Sequence, residues 1–375
     1  MPGPLQGVRV IELAGIGPGP FACMLLADLG ADVLRIDRPG GSALRLNGPD
    51  LLARGRPSVA MNLKSPAAVA AVLHLVESAD VLLEGNRPGV TERLGLGPDA
   101  CLERNPRLVY ARMTGWGQDG PWASYVGHDI NYAGLTGALA AIGEPGRKPV
   151  PPLNLVADFG GGALYCVVGV LAALTERATS GQGQVVDAAM VDGATSLMTM
   201  FYAMAAGGAW QDRRGSNLLD GGAPFYDTYA CADGGYVAVG ALEPQFWAEV
   251  VAVLALPDAP GQWDVAQWPA LRDLLAATFL TKTRDEWATV FEGRPACVTP
   301  VLSLTEARSH PHLSERAVTV EVDGVPQPAP APRFSRTPAD APTSPPDVGA
   351  DTRTALSAWG LSADELEALA TANAI

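Results

Sequence analysis

The sequence has little positive charge, little histidine, little cysteine and few aromatic side chains, and each shortage excludes something. Across 375 residues, Lys plus Arg total 26 against 40 for Asp plus Glu, a formal net charge of −14. That balance excludes a nucleic-acid coat or an anionic membrane surface as the main partner, while leaving room for a local basic pocket. The five cysteines (Cys23, Cys101, Cys166, Cys231 and Cys297) are scattered and odd in number, with no CxxC spacing. This is the pattern of free thiols in a reducing cytosol and not of a disulfide framework or zinc site. Four dispersed histidines, His74, His128, His310 and His312, exclude a His-rich metal cluster. The opening MPGPLQGVRV lacks the basic and apolar regions of a signal peptide, and the closing TANAI is no peroxisomal tripeptide, so a cytoplasmic setting is expected. The uncharged stretch 193–211 is diluted by Thr195, Ser196, Thr199, Gly207 and Gly208 and bracketed by Asp192 and Asp212. It reads as a buried helix or an adaptable apolar wall, and no membrane span is expected.

What is present is apolar. Hydrophobic residues make up 48% and charged residues 18%, ample for a buried core. The length fits about two or three domains of roughly 100–200 residues. β-Branched apolar runs at 7–13, 31–37, 80–85 and 107–113 predict buried strands. Helices between them open at Pro20 and at Pro66, the latter behind a Ser65 N-cap. The alternation predicts an α/β fold with a parallel, Rossmann-like sheet. Stretches 160–178 and 190–206 predict strongly apolar helices. Residues 226–242 predict a hairpin turning at Asp233, Gly234 and Gly235, and helices near 244–256, 269–279 and 282–292 complete a smaller α+β unit. A second hairpin is expected over 318–326, then a Pro-rich crossing segment without a core, then two short helices divided at Gly360. The expected organisation is a large domain over 1–190, a helix and linker over 191–222, a small α+β domain over 223–315, and a return linker with C-terminal helices over 316–375 packing on the large domain.

The loop GIGPGP (15–20) lies between a strand and a helix, with Asp37 about 20 residues on, which invites a dinucleotide reading. The third glycine of GxGxxG falls at Pro20, and Pro18 and Pro20 remove two amides that would face a pyrophosphate, so a tight strand-to-helix turn is the better reading. Arg35, Arg38, Lys64, Arg87 and Arg93 fall in or beside loops after strands, which converge on one edge of a doubly wound sheet. They form either an anion site or ordinary surface charge, and spacing does not decide between the two.

His128 lies in GHDINYAGLTG and Asp158 in PPLNLVADFGGGALY. Each has a plain alternative: a satisfied buried histidine, and a cap on the following helix. Glu243, before Pro244, can equally be the first-turn carboxylate of its helix. Together they permit a definite chemistry. Inverting a carbon next to a thioester carbonyl needs a base on one face and a conjugate acid on the other, roles open to His128 and Asp158. Asp129 and Glu243 could orient the imidazole and raise its basicity, and amides of Gly160, Gly161 and Gly162 could face the enolate oxygen.

Several long motifs in one order then carry a resemblance: GVRVIELAGIGPGPFACMLLADLGADVLRIDRPGG, LLEGNRPGVTERLGLGP, YARMTGWGQDGP, GHDINY, PPLNLVADFGGG and GQVVDAAMVDG. From about residue 5 to 337 the chain resembles the α-methylacyl-CoA racemases of the family III CoA-transferase superfamily, the bacterial members most closely. The resemblance implies an epimerase interconverting (2R)- and (2S)-2-methylacyl-CoA by 1,1-proton transfer through an enolate. It implies no metal or redox cofactor, coenzyme A being part of the substrate. His128 and Asp158 would be the opposed acid/base groups, with Asp129 and Glu243 supporting them. Coenzyme A contacts would fall on Arg38, Met61, Asn62, Leu63, Lys64, Gly85, Asn86, Arg87, Arg93, Gly127, Ile130, Asn131 and Tyr132. A homodimer of interlocked chains is implied as well, with 207–222 and 327–350 as linkers and Glu243 brought to the partner's site. Met190, Met198, Met200 and Met204 would then form either a deformable acyl-chain wall or plain core.

The same superfamily holds true CoA-transferases, in which the aspartate matching Asp158 is a nucleophile. His128 separates the two readings, because a transferase has no need of a second base. A nicotinamide oxidoreductase is disfavoured by the missing third glycine, and a non-catalytic CoA-binding protein by the intact acid–base set.

Overall fold

The computed structural model of the chain describes residues 3–41 and 47–375; Met1 and Pro2, which begin the stretch read above for a targeting signal, lie outside the described residues. Two compact units emerge. The first comprises the described residues up to Thr136, with Leu153–Met198 and Arg316–Ile375; the second comprises Gly137–Pro152 and Thr199–Glu315. Residues 137–152, expected in the large domain, thus fall in the second unit, and 191–198, expected with the linker, fall in the first.

The first unit is built on six strands: β1 (Arg9–Leu13), β2 (Asp32–Asp37), β3 (Ser58–Ala60), β4 (Val81–Glu84), β5 (Val109–Thr114) and β6 (Val185–Ala189). All pair in parallel, in the order β3-β2-β1-β4-β5-β6. This is a doubly wound sheet whose strand order reverses between β1 and β4, so the loops after those two strands border the crevice where such sheets take ligands. The connecting helices are α1 (Pro18–Asp28) after β1, α2 (Pro66–Val76) after β3, α3 (Val90–Leu94) and α4 (Pro98–Arg104) after β4, and α5 (Asp129–Leu135) after β5. Among the described residues only a short 3-10 turn, Leu51–Ala53, links β2 to β3. Proline at the first or second position opens α1, α2 and α4, where its missing N–H costs nothing.

One core cluster joins Ile11, Leu34, Leu82 and Tyr110 of the sheet to Val72, Leu75 and Val76 of α2 and to Leu356, Trp359 and Leu366 near the C-terminus. The C-terminal segment also closes the edge of the sheet. The Ser58 N–H donates to Asp351 Oδ2 and the Ala60 N–H to Thr352 Oγ1, both at 3.0 Å, which covers the free side of β3. Charges inside the strands are paired: Glu12 lies 2.7 Å from Arg56, and Arg35 lies 2.9 Å from Asp37.

Residues Leu155–Ser180 form one apolar helical run of 26 residues, long and apolar enough by length and composition to cross a membrane. Ala157, Gly161, Ala163, Cys166 and Val170 are buried within the unit, whereas Leu155, Leu164 and Val168 are exposed.

The second unit carries an antiparallel sheet of β7 (Tyr226–Ala230), β8 (Tyr236–Gly240) and β9 (Val298–Val301). The hairpin turns at Asp233 and Gly234, as the sequence predicts. Phe225, Phe279, Trp287 and Phe291 pack its core with Trp247 and Leu275 from the covering helices.

Candidate active site

The loop after β1 ends at Gly17, whose φ of 69° suits glycine and lets the chain enter α1 abruptly. Pro18 and Pro20 leave Gly19 as the amide of the first turn, so this helix start is a poor cradle for a pyrophosphate. A carboxylate lies there instead. A Cβ added to Gly17 would stand 3.2 Å from Asp158 Oδ2, so Asp158 faces the positive end of α1.

Asp158 belongs to a π-helix, Leu155–Leu164, that continues into the Tyr165–Ser180 α-helix. π-Helical turns are rare and concentrate at functional sites. The reason for its glycines is packing. A Cβ on Gly161 would lie 2.4 Å from the Ala194 nitrogen, and one on Gly193 would lie 1.8 Å from the Gly161 oxygen. The π-helix and the Met190–Leu197 helix therefore touch backbone to backbone. This corrects the sequence expectation for Gly160, Gly161 and Gly162: their amides sit within the π-helix, bonding carbonyls five residues back, and are not donors for an enolate oxygen.

Two of the free amides at the start of this helix are met by Asp129, from α5, and not by Asp158. Asp129 Oδ2 accepts the Ala157 and Asp158 N–H groups, each at 2.8 Å. Asp129 is buried, and its Oδ1 has no hydrogen-bond partner among the described residues. Asp158, by contrast, receives one long hydrogen bond, from Asn154 Nδ2 at 3.4 Å. Burial pushes the Asp158 carboxyl above its ordinary value, and the Asp129 charge pushes the same way, against Asn154 and the nearby His128.

His128 stands at the head of α5 in an extended conformation, its N–H donating to Asn131 Oδ1 at 3.0 Å. The residue is exposed. Tyr132, one turn on, is buried near Asp158; burial and that negative charge push its phenol up to about 12. Gly115 and Gly127 make room for the Tyr132 ring, which meets Trp116 edge-on at 4.7 Å. His128, Asp129, Asn131, Tyr132 and Asp158 are thus brought together; Ile130 lies exposed on the same first turn.

The basic candidates line the same sheet edge. Arg38 follows β2 and is exposed. Met61 is buried in the core, so only its backbone is available, while the Asn62 N–H donates to the Ala374 oxygen at 2.8 Å. Leu63, Lys64 and Arg93 line an open cavity of about 550 Å³ with Pro66, Val69 and Leu73 of α2. Arg104 lines it too and was not anticipated; it pairs with Glu77 at 3.4 Å and reads in sequence as an ordinary helix-end charge. Gly85 and Arg87 are exposed in the turn after β4, and the Asn86 N–H is held by Glu84 at 2.7 Å.

Glu243 lies in the second unit, exposed at the head of the Pro244–Val253 helix, where its charge and burial raise the Cys297 thiol, burial being the larger cause. Met190 is buried against Gly162, and Met198 ends the helix after it, whereas Met200 and Met204 lie in the second unit on the Thr199–Ala206 helix.

At the switch point of this doubly wound sheet a carboxylate lies under an α-helix start, with a histidine near enough to act on its charge, and the prolines of that helix start leave little for a dinucleotide. Comparison with known proteins gives the family. Residues 5–352 match CoA-transferase family III. Alpha-methylacyl-CoA racemase of Mus musculus is 48% identical over 367 residues, covering 96% of this chain and 95% of that protein. The Homo sapiens protein of the same name is 44% identical with the same coverage. A CaiB/BaiF family protein from Brucella suis has a similar structure, with a TM-score of 0.83 at 26% identity over 96% of this chain and 100% of that one. The chain belongs to CoA-transferase family III.

Proposed function

We propose that this chain interconverts (2R)- and (2S)-2-methylacyl-CoA thioesters by 1,1-proton transfer, with His128 and Asp158 as the opposed acid/base groups. One observation carries the reading: two titratable side chains from different elements, His128 at the head of α5 and Asp158 in the π-helix, are organised around a shared anchor, Asp129. The racemase relatives at 48% and 44% identity support the substrate class.

In the forward direction one group takes the α-proton and the C–H electron pair moves into the thioester carbonyl as an enolate. The other group, already protonated, returns a proton to the opposite face, so one proton leaves, one enters and no other bond changes. The raised carboxyl of Asp158 suits both halves, as a stronger base when ionised and a more accessible acid when protonated. Coenzyme A is assigned to the sheet edge, its phosphates toward Arg38, Lys64, Arg87 and Arg93 and its adenine over Leu63, Val69 and Leu73. The exposed Leu155, Leu164 and Val168, and a Thr199–Ala206 helix with no buried residue, support an interlocked homodimer in which Glu243 serves the partner's histidine and the methionines face the acyl chain.

The test is incubation with a (2S)-2-methylacyl-CoA in D₂O. Deuterium entering the α-carbon with convergence on both epimers is expected from the wild type, and a loss of about 10²–10⁴-fold from His128→Ala and from Asp158→Ala. Exchange retained in both variants would overturn the assignment. No exchange in the wild type, with acyl transfer to a free acid instead, would make Asp158 the nucleophile of a CoA-transferase.

A further inference from the structure

Arg112, the fourth residue of β5, stands across from Glu84, the last residue of β4, in the parallel register. Its Nε donates to Glu84 Oε1 at 3.1 Å, and its Nη1 lies 2.8 Å from Glu92 Oε1 on α3. The other oxygen of Glu84 accepts the Asn86 N–H at 2.7 Å. Glu84 is 0% and Arg112 7% exposed. One guanidinium therefore ties the end of β4, the Gly85–Asn86–Arg87 turn and α3 into a single piece. Arg93, which follows Glu92, lines the cavity with Lys64.

Stability alone is a weak reason for this arrangement. A buried ion pair gains little over apolar side chains of the same volume, because both charges must leave water. What a guanidinium supplies and a leucine does not is direction: its planar fork fixes two carboxylates at set angles. The two segments so fixed are those that carry Asn86, Arg87 and Arg93.

We propose that Glu84, Arg112 and Glu92 are positioning residues for the nucleotide end of the thioester, holding the turn with Arg87 and the helix with Arg93 in mutual register before coenzyme A arrives. The proposal rests on the coenzyme A reading of this sheet edge. Its sign separates it from plain electrostatics. Glu92 is an anion beside a phosphate site, so by charge alone its removal would tighten coenzyme A. Positioning requires the opposite, since a loosened Arg93 must be ordered at the expense of binding.

The experiment uses Glu92→Gln, whose side chain is 43% exposed and is replaced by an isostere, with Arg112→Lys as a second variant that keeps the charge and loses the fork. Calorimetry measures coenzyme A and pantetheine separately, and kinetics compare a 2-methylacyl-CoA with the matching acyl-pantetheine, which lacks the nucleotide. Both variants are expected to bind coenzyme A about tenfold more weakly and to raise KM for the CoA thioester alike. kcat on the CoA thioester should stay within about twofold, and the acyl-pantetheine kinetics should not change. Unchanged or tighter coenzyme A binding in Glu92→Gln overturns the proposal, and so does an equal loss with acyl-pantetheine, which would mark a general structural defect. A wild type that binds no coenzyme A overturns the underlying reading and this one with it.

Discussion

The carboxylate of Asp129 caps the helix that carries Asp158: its Oδ2 lies 2.8 Å from the Asp158 nitrogen and 2.8 Å from that of Ala157. Asp129 also follows His128 directly in the chain. One buried side chain thus sets the spacing between the two acid/base candidates, and its charge helps to raise the Asp158 carboxyl. Capping, spacing and the charge felt by Asp158 come from one buried carboxylate.

Asp129→Asn separates those effects. The amide keeps an acceptor oxygen for the helix amides but removes the charge, so the cap weakens by about 1 kcal/mol. With a negative neighbour gone, ionised Asp158 becomes easier to form and its pKa falls. The acidic limb of the pH profile of kcat/KM is expected to move to lower pH in the variant, with a small drop in melting temperature. A limb that stays in place would show that Asp158 does not set it.

Asp158 itself is a stability liability at neutral pH. Its carboxyl is raised above the ordinary 3.8, so the fold gains from the protonated form: that contribution is complete below 3.8 and is lost as pH rises through the raised value. Asp158→Asn removes the buried charge and keeps the shape. The variant is expected to melt above the wild type at pH 7, with the difference shrinking as pH falls toward 4, while activity is lost. Thermal melts at several pH values decide it; a variant that melts lower at pH 7 would contradict the sign.

How much of this was legible in the sequence depends on side-chain pattern and length. β1, β2, β4 and β5 announce themselves because they are buried β-branched runs bounded by turns. β3 has only three residues, and β6 exposes Val185 and carries Asp187, so neither shows a pattern. The π-helix is hidden because Gly160, Gly161 and Gly162 read as a loop or helix start, when their lack of Cβ answers to the helix packed on them. Glu84 at the end of β4 and Arg112 within β5 carry no sequence signal of being a pair, and only the register reveals that they face each other. His128 and Asp158 could be singled out, but Asp129 as the residue joining them could not, since its partners are backbone amides about 30 residues away, a contact that only the fold creates.

The glycines give a graded test of packing against chemistry. Gly193→Ala would place a methyl 1.8 Å from the Gly161 oxygen, a backbone atom that cannot rotate away. Its expected cost is about 3 kcal/mol or more, seen as insoluble or low-melting protein. Gly17→Ala meets only the Asp158 carboxylate, at 3.2 Å, but in a left-handed conformation with φ of 69°. Strain of about 1–2 kcal/mol is expected there, with folded protein recovered and its proton-exchange rate reduced because Asp158 must shift. Equal exchange rates per folded molecule for Gly17→Ala and wild type would place Asp158 outside the chemistry.

Trp359 supplies the opposite case, a residue whose loss should destabilise without touching the reaction. It lies beyond the stretch matched to the family, buried in the core cluster, with the Arg9 guanidinium 4.0 Å from its ring centre and its Nε1 donating to Asp32 Oδ1 at 3.3 Å. Arg9 and Asp32 are the first residues of β1 and β2, so this contact closes the N-terminal edge of the sheet, while His128, Asp158 and the basic loops occupy the C-terminal edge. Trp359→Ala removes a large buried ring and leaves a cavity, an expected loss of about 3–5 kcal/mol. Denaturant melts should show that loss, while kcat and KM per folded molecule stay at wild-type values. A change in kcat with the protein fully folded would mean that the C-terminal helices act on the site through the sheet, and would extend the functional unit to a part of the chain that the family does not define.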